Sequence, residues 1–288
     1  IQYRDYAYWQ NQRFADQSME QLRGYWLAKL SAPPDSLNLP ADYPRPAEMD
    51  YQGDSVEFNR PLELNSALTA LAVRAGQSQF MILTALVKVL LFRYSGERDI
   101  TIGSPVLGRM HPDLENQVGN YVNMLALRDI LSPHESFLVF LDQIKETISG
   151  ALEHQEYPFD QLVEDLSVAR ELGRHPVFDV LISLESQSVD DRLIPLSVRE
   201  RSIGSQQTTP RISPYSCALP VAKYDLSFHF TETEEGLRAS IIFRTSLFKH
   251  QRIERLAGHL VQLAHSIVRQ PETPLCELSL LIEPESHA

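Results

Sequence analysis

The stretch Met81-Ile82-Leu83-Thr84-Ala85-Leu86-Val87-Lys88-Val89-Leu90-Leu91-Phe92 is the strongest constraint on what this chain can become. It is apolar nearly all round, so a helix built from it has no face to give to water and must be buried on every side. Lys88 interrupts it, and the run falls short of the ~18–20 residues that a bilayer span requires. The spacing therefore predicts a core helix from about Phe80 to Tyr94, stopped by Gly96. Other elements must wrap it, and the flanking sequence supplies them. Leu68, Leu71, Ala72 and Ala75 recur at helical spacing, with Asn65-Ser66 as the expected cap and Gly76 as the stop. Asp99-Ile100-Thr101-Ile102 alternates as a short strand does, and Tyr121 to Arg128 reads as a second strand. Helices and strands in this order predict an α/β layer.

The rest of the chain can be read in the same way. Asp5 to Leu30 carries Trp9, Phe14, Leu22, Tyr25, Trp26 and Leu30 near helical spacing, as one long or broken helix. Ser31 to Arg60 holds Pro33, Pro34, Pro40, Pro44 and Pro46 and is expected to be a connector. Ser132-Pro133-His134-Glu135 is a capping box for a helix whose face is Phe137, Leu141, Ile144, Ile148 and Leu152. A short helix from about Phe159 to Leu166 and a strand over Val177–Leu184 follow. Residues 186–222 lack a period and contain four prolines, so they predict a long functional or mobile loop. Two alternating strands, Tyr224–Thr231 and Leu237–Phe243, form a hairpin around Gly236. A final amphipathic helix with Ile253, Leu256, Leu260, Leu263 and Ile267 on one face stops at Pro271.

Charge and cysteine content narrow the function. The 288 residues carry 26 Lys and Arg against 38 Asp and Glu, a formal net charge of −12, which repels phosphate backbones and anionic membranes. No nucleic-acid or membrane partner is expected. The two cysteines, Cys217 and Cys276, are too few for a disulfide framework or a four-thiolate metal site, which makes a reducing cytoplasm the default. No Gly-rich phosphate loop, HExxH or GxSxG is present. His250, His259 and His265 read as ordinary helix residues. His229, on an alternating strand, faces either the core or a cleft.

Four segments stand out in order: Tyr3-Arg4-Asp5-Tyr6-Ala7-Tyr8-Trp9, Gly103-Ser104-Pro105 through Gly108-Arg109, Gly119 with Asn123 and Arg128, and His154-Gln155 with Pro158-Phe159. An unpaired amide inside an apolar strand costs ~1–3 kcal/mol, so Asn123 must find a partner. Together with Arg174-His175-Pro176-Val177-Phe178 and Lys223-Tyr224-Asp225-Leu226, these segments resemble the condensation domains of nonribosomal peptide synthetases over essentially the whole chain.

The resemblance implies a chloramphenicol-acetyltransferase-like α/β lobe, a mixed β-sheet packed with helices, forming half of a V-shaped two-lobe domain. Residues 1–60 would be the inter-lobe helix and Pro-rich linker, 61–288 the C-terminal lobe, and 186–222 a latch-like or mobile loop. It implies peptide-bond formation between thioesters on donor and acceptor peptidyl carrier proteins, with no cofactor of its own beyond the phosphopantetheine that those partners bring. Adjacent synthetase domains and the N-terminal lobe are the other implied partners. The family's HHxxxDG motif precedes the aromatic segment, and no His-His dipeptide occurs in the chain. The lobe is therefore expected to be inactive without its N-terminal partner, and no catalytic residue is assigned within it.

By resemblance Asn123, Ser104 and Tyr121 would line the substrate tunnel. Asn123 could donate to a thioester oxygen, and Ser104 could bond the amine or the pantetheine. Arg109 and Arg128 would support the tunnel through carboxylate pairs, and His154 and Gln155 as a helix end. Two other readings stay open: a non-catalytic condensation-like module that recruits carrier proteins or tailoring enzymes, and an epimerisation or heterocyclisation subtype.

Overall fold

The computed structural model describes residues 2–15, 17–31, 37–59, 62–168, 171–186, 221–233 and 236–281. Its centre is a six-stranded mixed sheet. The strands are β1 (Gly53–Asn59), β2 (Asp99–Val106), β3 (Asn123–Ile130), β4 (Val180–Ser186), β5 (Leu226–Thr233) and β6 (Gly236–Arg244). Their spatial order is β1-β6-β5-β4-β2-β3, with β2, β4 and β5 parallel and the remaining pairs antiparallel. The helices are α1 (Tyr3–Ala15), α2 (Glu20–Lys29), α3 (Leu62–Arg74), α4 (Gln79–Ser95), α5 (Phe137–Glu153), α6 (Phe159–Leu166) and α7 (His250–Arg269).

The apolar run forms α4, and every residue from Ile82 to Phe92 is buried. Ser78 caps its start through Met81 N, and Gly96 ends it in the left-handed conformation at φ +75°. Helices α3, α5 and α7 pack beside α4, so four helices cover one face of the sheet. Strand parity decides what meets them: Ile100, Ile102, Leu125, Leu127, Ile182, Phe228, Ile241 and Phe243 all turn inward and are buried.

Lys88, the one charge in the run, is fully buried and is satisfied rather than stranded. Its ammonium donates to Asp129, to Leu127 O at 2.7 Å and to Ile100 O at 3.3 Å. Thr147 of α5 bonds the other oxygen of Asp129. The ion pair thereby locks α4 and α5 onto the β2–β3 edge, because removing either partner would leave a charge in a dry core.

Several local expectations shift. The connector contributes β1, an edge strand paired with β6, in which Val56 and Phe58 alternate inward between polar residues. Helix α3 begins at Leu62, so Asn65-Ser66 lies inside it rather than capping it. The Ser132–Glu135 box forms, with Ser132 N donating to Glu135 at 2.9 Å, but it builds a turn one step early and Ser136 caps α5. The predicted first helix breaks into α1 and α2, with Gln17 at φ +62° between them. The loop expected over 186–222, with Cys217, falls almost wholly outside the described residues.

A buried charge network closes the sheet at the other end. Asp225 accepts from Arg45 and from Arg244 at 3.2 Å, while Asp179 accepts from Arg174 at 2.6 Å. These two carboxylates tie the connector, the start of β4 and the end of β6 into one unit. The late segments singled out in the sequence, Arg174-His175-Pro176 and Tyr224-Asp225, thus hold the frame. Among the described residues no single helix is long and apolar enough to cross a membrane.

Candidate functional site

Three pieces of chain converge beside the start of β3. The first is α1, none of whose residues is buried but whose Tyr3 and Tyr6 rings pack against Tyr121. The second is the loop between β2 and β3, and the third is the turn from α5 to α6. Between them lies a cavity of about 660 Å³, walled by Tyr3, Tyr6, Trp9, Tyr121, Met124 and Phe159 and rimmed by polar groups that include Asp5, Asn120, Gln155 and Asp160.

Tyr121 organises the aromatic wall. Its ring meets Tyr3 edge-on at 5.2 Å and Tyr6 at 4.9 Å, and the Arg109 guanidinium lies 4.4 Å from the ring centre. The geometry depends on two glycines. Gly108 sits at φ +64°, and a Cβ there would stand 1.9 Å from Tyr121 O; a Cβ on Gly119 would stand 2.5 Å from the Tyr3 ring. The Tyr121 hydroxyl is buried and has no hydrogen-bond partner among the described residues.

Asn123 lines the same cavity, half-buried, yet its amide is already spent. Its Nδ2 donates to Gln155 O at 2.8 Å and Tyr157 O at 2.7 Å, and its Oδ1 accepts from Phe159 N at 3.0 Å. The partner that the sequence demanded is therefore the α5–α6 turn, and Asn123 shapes the wall rather than offering a free donor to a reacting oxygen. Ser104 departs further from expectation. It shares strand parity with Ile100 and Ile102, is buried on the helix-facing side of β2 and does not line the cavity.

The supporting residues divide. Arg128 finds its carboxylate, gripping Asp99 at 2.7 and 2.9 Å, and also donates to Ser31 O, so it fastens the end of α2 to the β2–β3 edge. Arg109 has no carboxylate partner among the described residues; it donates to Leu114 O and to Gly119 O and stacks on Tyr121, which fixes the loop itself. His154 stacks on Tyr25 at 3.9 Å and its carbonyl accepts from Trp26 Nε1 at 2.9 Å. Gln155 reaches the cavity rim and bonds Leu152 O at 2.8 Å.

Electrostatics inside the cavity are acidic. Arg13 pairs with Glu156 at 2.6 Å and Asp5 lies 3.7 Å from the exposed Arg4, but Asp160 has no cationic partner among the described residues, and Arg109 is committed to the loop. Burial and the nearby Glu156 charge push the Tyr6 phenol above its ordinary pKa, so it stays protonated. Aromatic faces with carboxylates at the rim favour an apolar group that carries an amine. The loop residues Met110 and Leu114, which the sequence reading passed over, complete the wall; apolar side chains in an otherwise polar loop were the available signal. No group of three or more metal-binding side chains is assembled among the described residues.

The family model described as "Condensation domain" matches residues 1–288. Gramicidin S synthase 2 of Brevibacillus brevis is 38% identical over 285 residues, and Bacitracin synthase 3 of Bacillus licheniformis 34% identical over 288. The chain accounts for 99% and 100% of itself in those alignments but only 6% and 4% of the synthases' length. Among solved structures, the X-domain complexed with OxyB from teicoplanin biosynthesis superposes with a TM-score of 0.86 at 22% identity, covering 98% of this chain and 61% of that one. The four-domain nonribosomal peptide synthetase holo-AB3403 gives 0.81 at 24% identity, covering 92% of this chain and 20% of that one. These structural likenesses establish the fold, and the family match extends over every residue: the chain belongs to the condensation-domain family.

Proposed function

We propose that this chain is the C-terminal lobe of a peptide-bond-forming condensation domain in a nonribosomal peptide synthetase, and that its cavity receives the aminoacyl end of a carrier-bound thioester. The observation that carries the reading is the cavity itself: the aromatic, Gly-Asn and His-Gln segments converge on it, and the loop residues Met110 and Leu114 close its wall. In the reaction the acceptor amine nitrogen attacks the donor thioester carbon. A C–N bond forms, the C–S bond breaks, the pantetheine thiol leaves, and the amine's surplus proton passes through a base to the departing sulfur.

That base is assigned to an HHxxxDG imidazole on the polypeptide of the N-terminal lobe. The lobe described here supplies position: it encloses the side chain, keeps the acidic rim near the amine and excludes water. The loop bearing the site exposes Leu107, Met110, Val118 and Val122, an apolar surface suited to a facing lobe. Donor and acceptor carrier proteins with their phosphopantetheine arms are the remaining partners.

The test is to fill the cavity without disturbing its frame. Asn120 is exposed at the rim, so Asn120→Trp in the intact synthetase should lower the single-turnover rate of peptide-bond formation at least ~100-fold while the adjacent domains keep loading their carriers. An unchanged rate would remove the cavity from the reaction.

A further inference from the structure

The sheet has a second face, opposite α3, α4, α5 and α7, and its composition differs from the first. The register places Ser183 of β4 beside His229 of β5, His229 beside Ser240 of β6, and Ser240 beside Glu57 of β1. Four polar side chains thus stand in one row across four strands. The adjacent inward row reads Ile182, Phe228, Ile241 and Val56, all buried. The next outward row, with Glu185, Thr231 and Arg238, is polar again. The described helices that pack on β1 and β6 do so from the inward side.

Within the row, Ser183 Oγ lies 2.8 Å from His229 Nδ1. Ser183 is buried and the imidazole half-buried. Burial holds the His229 pKa below its ordinary value against the opposing pull of Glu185, so the ring is neutral at neutral pH. A neutral imidazole that accepts the serine proton at Nδ1 carries its own proton at Nε2. That nitrogen makes no hydrogen bond among the described residues. The charged groups on this face nearest the ring in register are Glu185, Glu57 and Arg238, two of the three acidic, which disfavours an anion as the ligand and favours a neutral acceptor.

We propose that Ser183 donates its hydroxyl to Nδ1 and so positions the ring, and that His229 binds substrate by donating Nε2–H to an amide carbonyl of the carrier-tethered chain, peptidyl or pantetheinyl. This inference rests on the condensation reading above and names the part of the substrate that the sheet contacts.

The experiment measures peptide-bond formation by the intact synthetase against the concentration of each loaded carrier protein. His229→Phe keeps the ring and removes the donor; it should raise KM for one loaded carrier about tenfold, which corresponds to ~1.4 kcal/mol, with kcat within about twofold. His229→Gln, which returns an N–H near the Nε2 position, should recover most of the loss. Ser183→Ala should raise the same KM by a smaller factor and Ser183→Thr should restore it. Inhibition by the same carrier lacking its arm should be unaffected in every variant, separating chain contact from protein docking. If the unaltered synthetase forms no peptide bond, the condensation reading fails and this proposal with it. If the unaltered synthetase is active but His229→Phe leaves both KM values unchanged, or His229→Gln fails to rescue, this proposal alone is overturned.

Discussion

Replacing Asn123 by alanine separates a wall-building role from a direct chemical one. The substitution removes three hydrogen bonds of 2.7, 2.8 and 3.0 Å that hold the α5–α6 turn against the start of β3. At ~0.5–1.5 kcal/mol net for each bond, the turn loses roughly 2–4 kcal/mol, with the lower end favoured because the cavity lets water reach the freed carbonyls. A loss of ~2 kcal/mol multiplies the local opening equilibrium roughly thirtyfold. The assay is amide hydrogen exchange followed by mass spectrometry on the intact synthetase. The Phe159 amide, which donates directly to Asn123, and its neighbours through Leu162 should exchange roughly thirtyfold faster, while β5 and α7 keep parental rates. Asn123→Asp sharpens the test: it retains the shape but aims a carboxylate at two carbonyl oxygens and cannot donate, so exchange should accelerate at least as much. Exchange within twofold of the parent in both variants, alongside a collapse in turnover, would refute the structural account of Asn123.

Three other contacts probe the frame. A Cβ on Gly103 would lie 2.0 Å from the Phe178 ring, so Gly103→Ala should lower thermal stability by ~1–3 kcal/mol, and Phe178→Leu should recover part of it in the double variant; additive losses would argue against the contact. Asp225→Ala strands Arg45 and the buried Arg244 and should cost ~3–5 kcal/mol in denaturant unfolding, whereas a loss below 1 kcal/mol would show that the network is not stabilising. Asp42 accepts two hydrogen bonds from Arg252 and one from Lys249 N, which lowers its pKa to about 2 in the folded protein. A depressed folded-state value adds stability above the unfolded carboxylate's pKa near ~3.9 and loses it as the pH falls toward the folded value. Asp42→Asn should therefore be less stable than the parent at pH 6, the gap closing between about pH 4 and pH 2; a constant gap would contradict the assignment.

What the sequence reveals depends on how far apart in the chain the partners lie. Helix α4 was legible because its unbroken apolar run is local in sequence, and α7 because its stripe and its Pro271 stop are. Strand β1 was hidden: only Val56 and Phe58 mark its inward face, and the prolines before it dominated the reading. The site followed the same rule. Its segments were visible as punctuated motifs, but the partners of Asn123 lie 32 to 36 residues away, so the direction of its amide is a tertiary fact. Ser104 is the opposite case. Its two-residue spacing from Ile102 and Ile100 already placed it on the buried face, and strand parity could have told it from a cavity residue. Arg109 followed neither rule: its carbonyl partners, Leu114 and Gly119, lie close in sequence, but only the folded loop brings them to the guanidinium.

The central claim is that the space between α1, the β2–β3 loop and the α5–α6 turn holds the end of a carrier-borne chain. A carrier protein bearing a non-hydrolysable aminoacyl-pantetheine amide with a photoreactive diazirine on its side chain tests it most directly, using the intact synthetase and peptide mapping after irradiation. The account predicts labels concentrated in residues 108–124 and 155–160, suppressed by Asn120→Trp. Labels confined to other surfaces of this chain, and indifferent to that substitution, would contradict it.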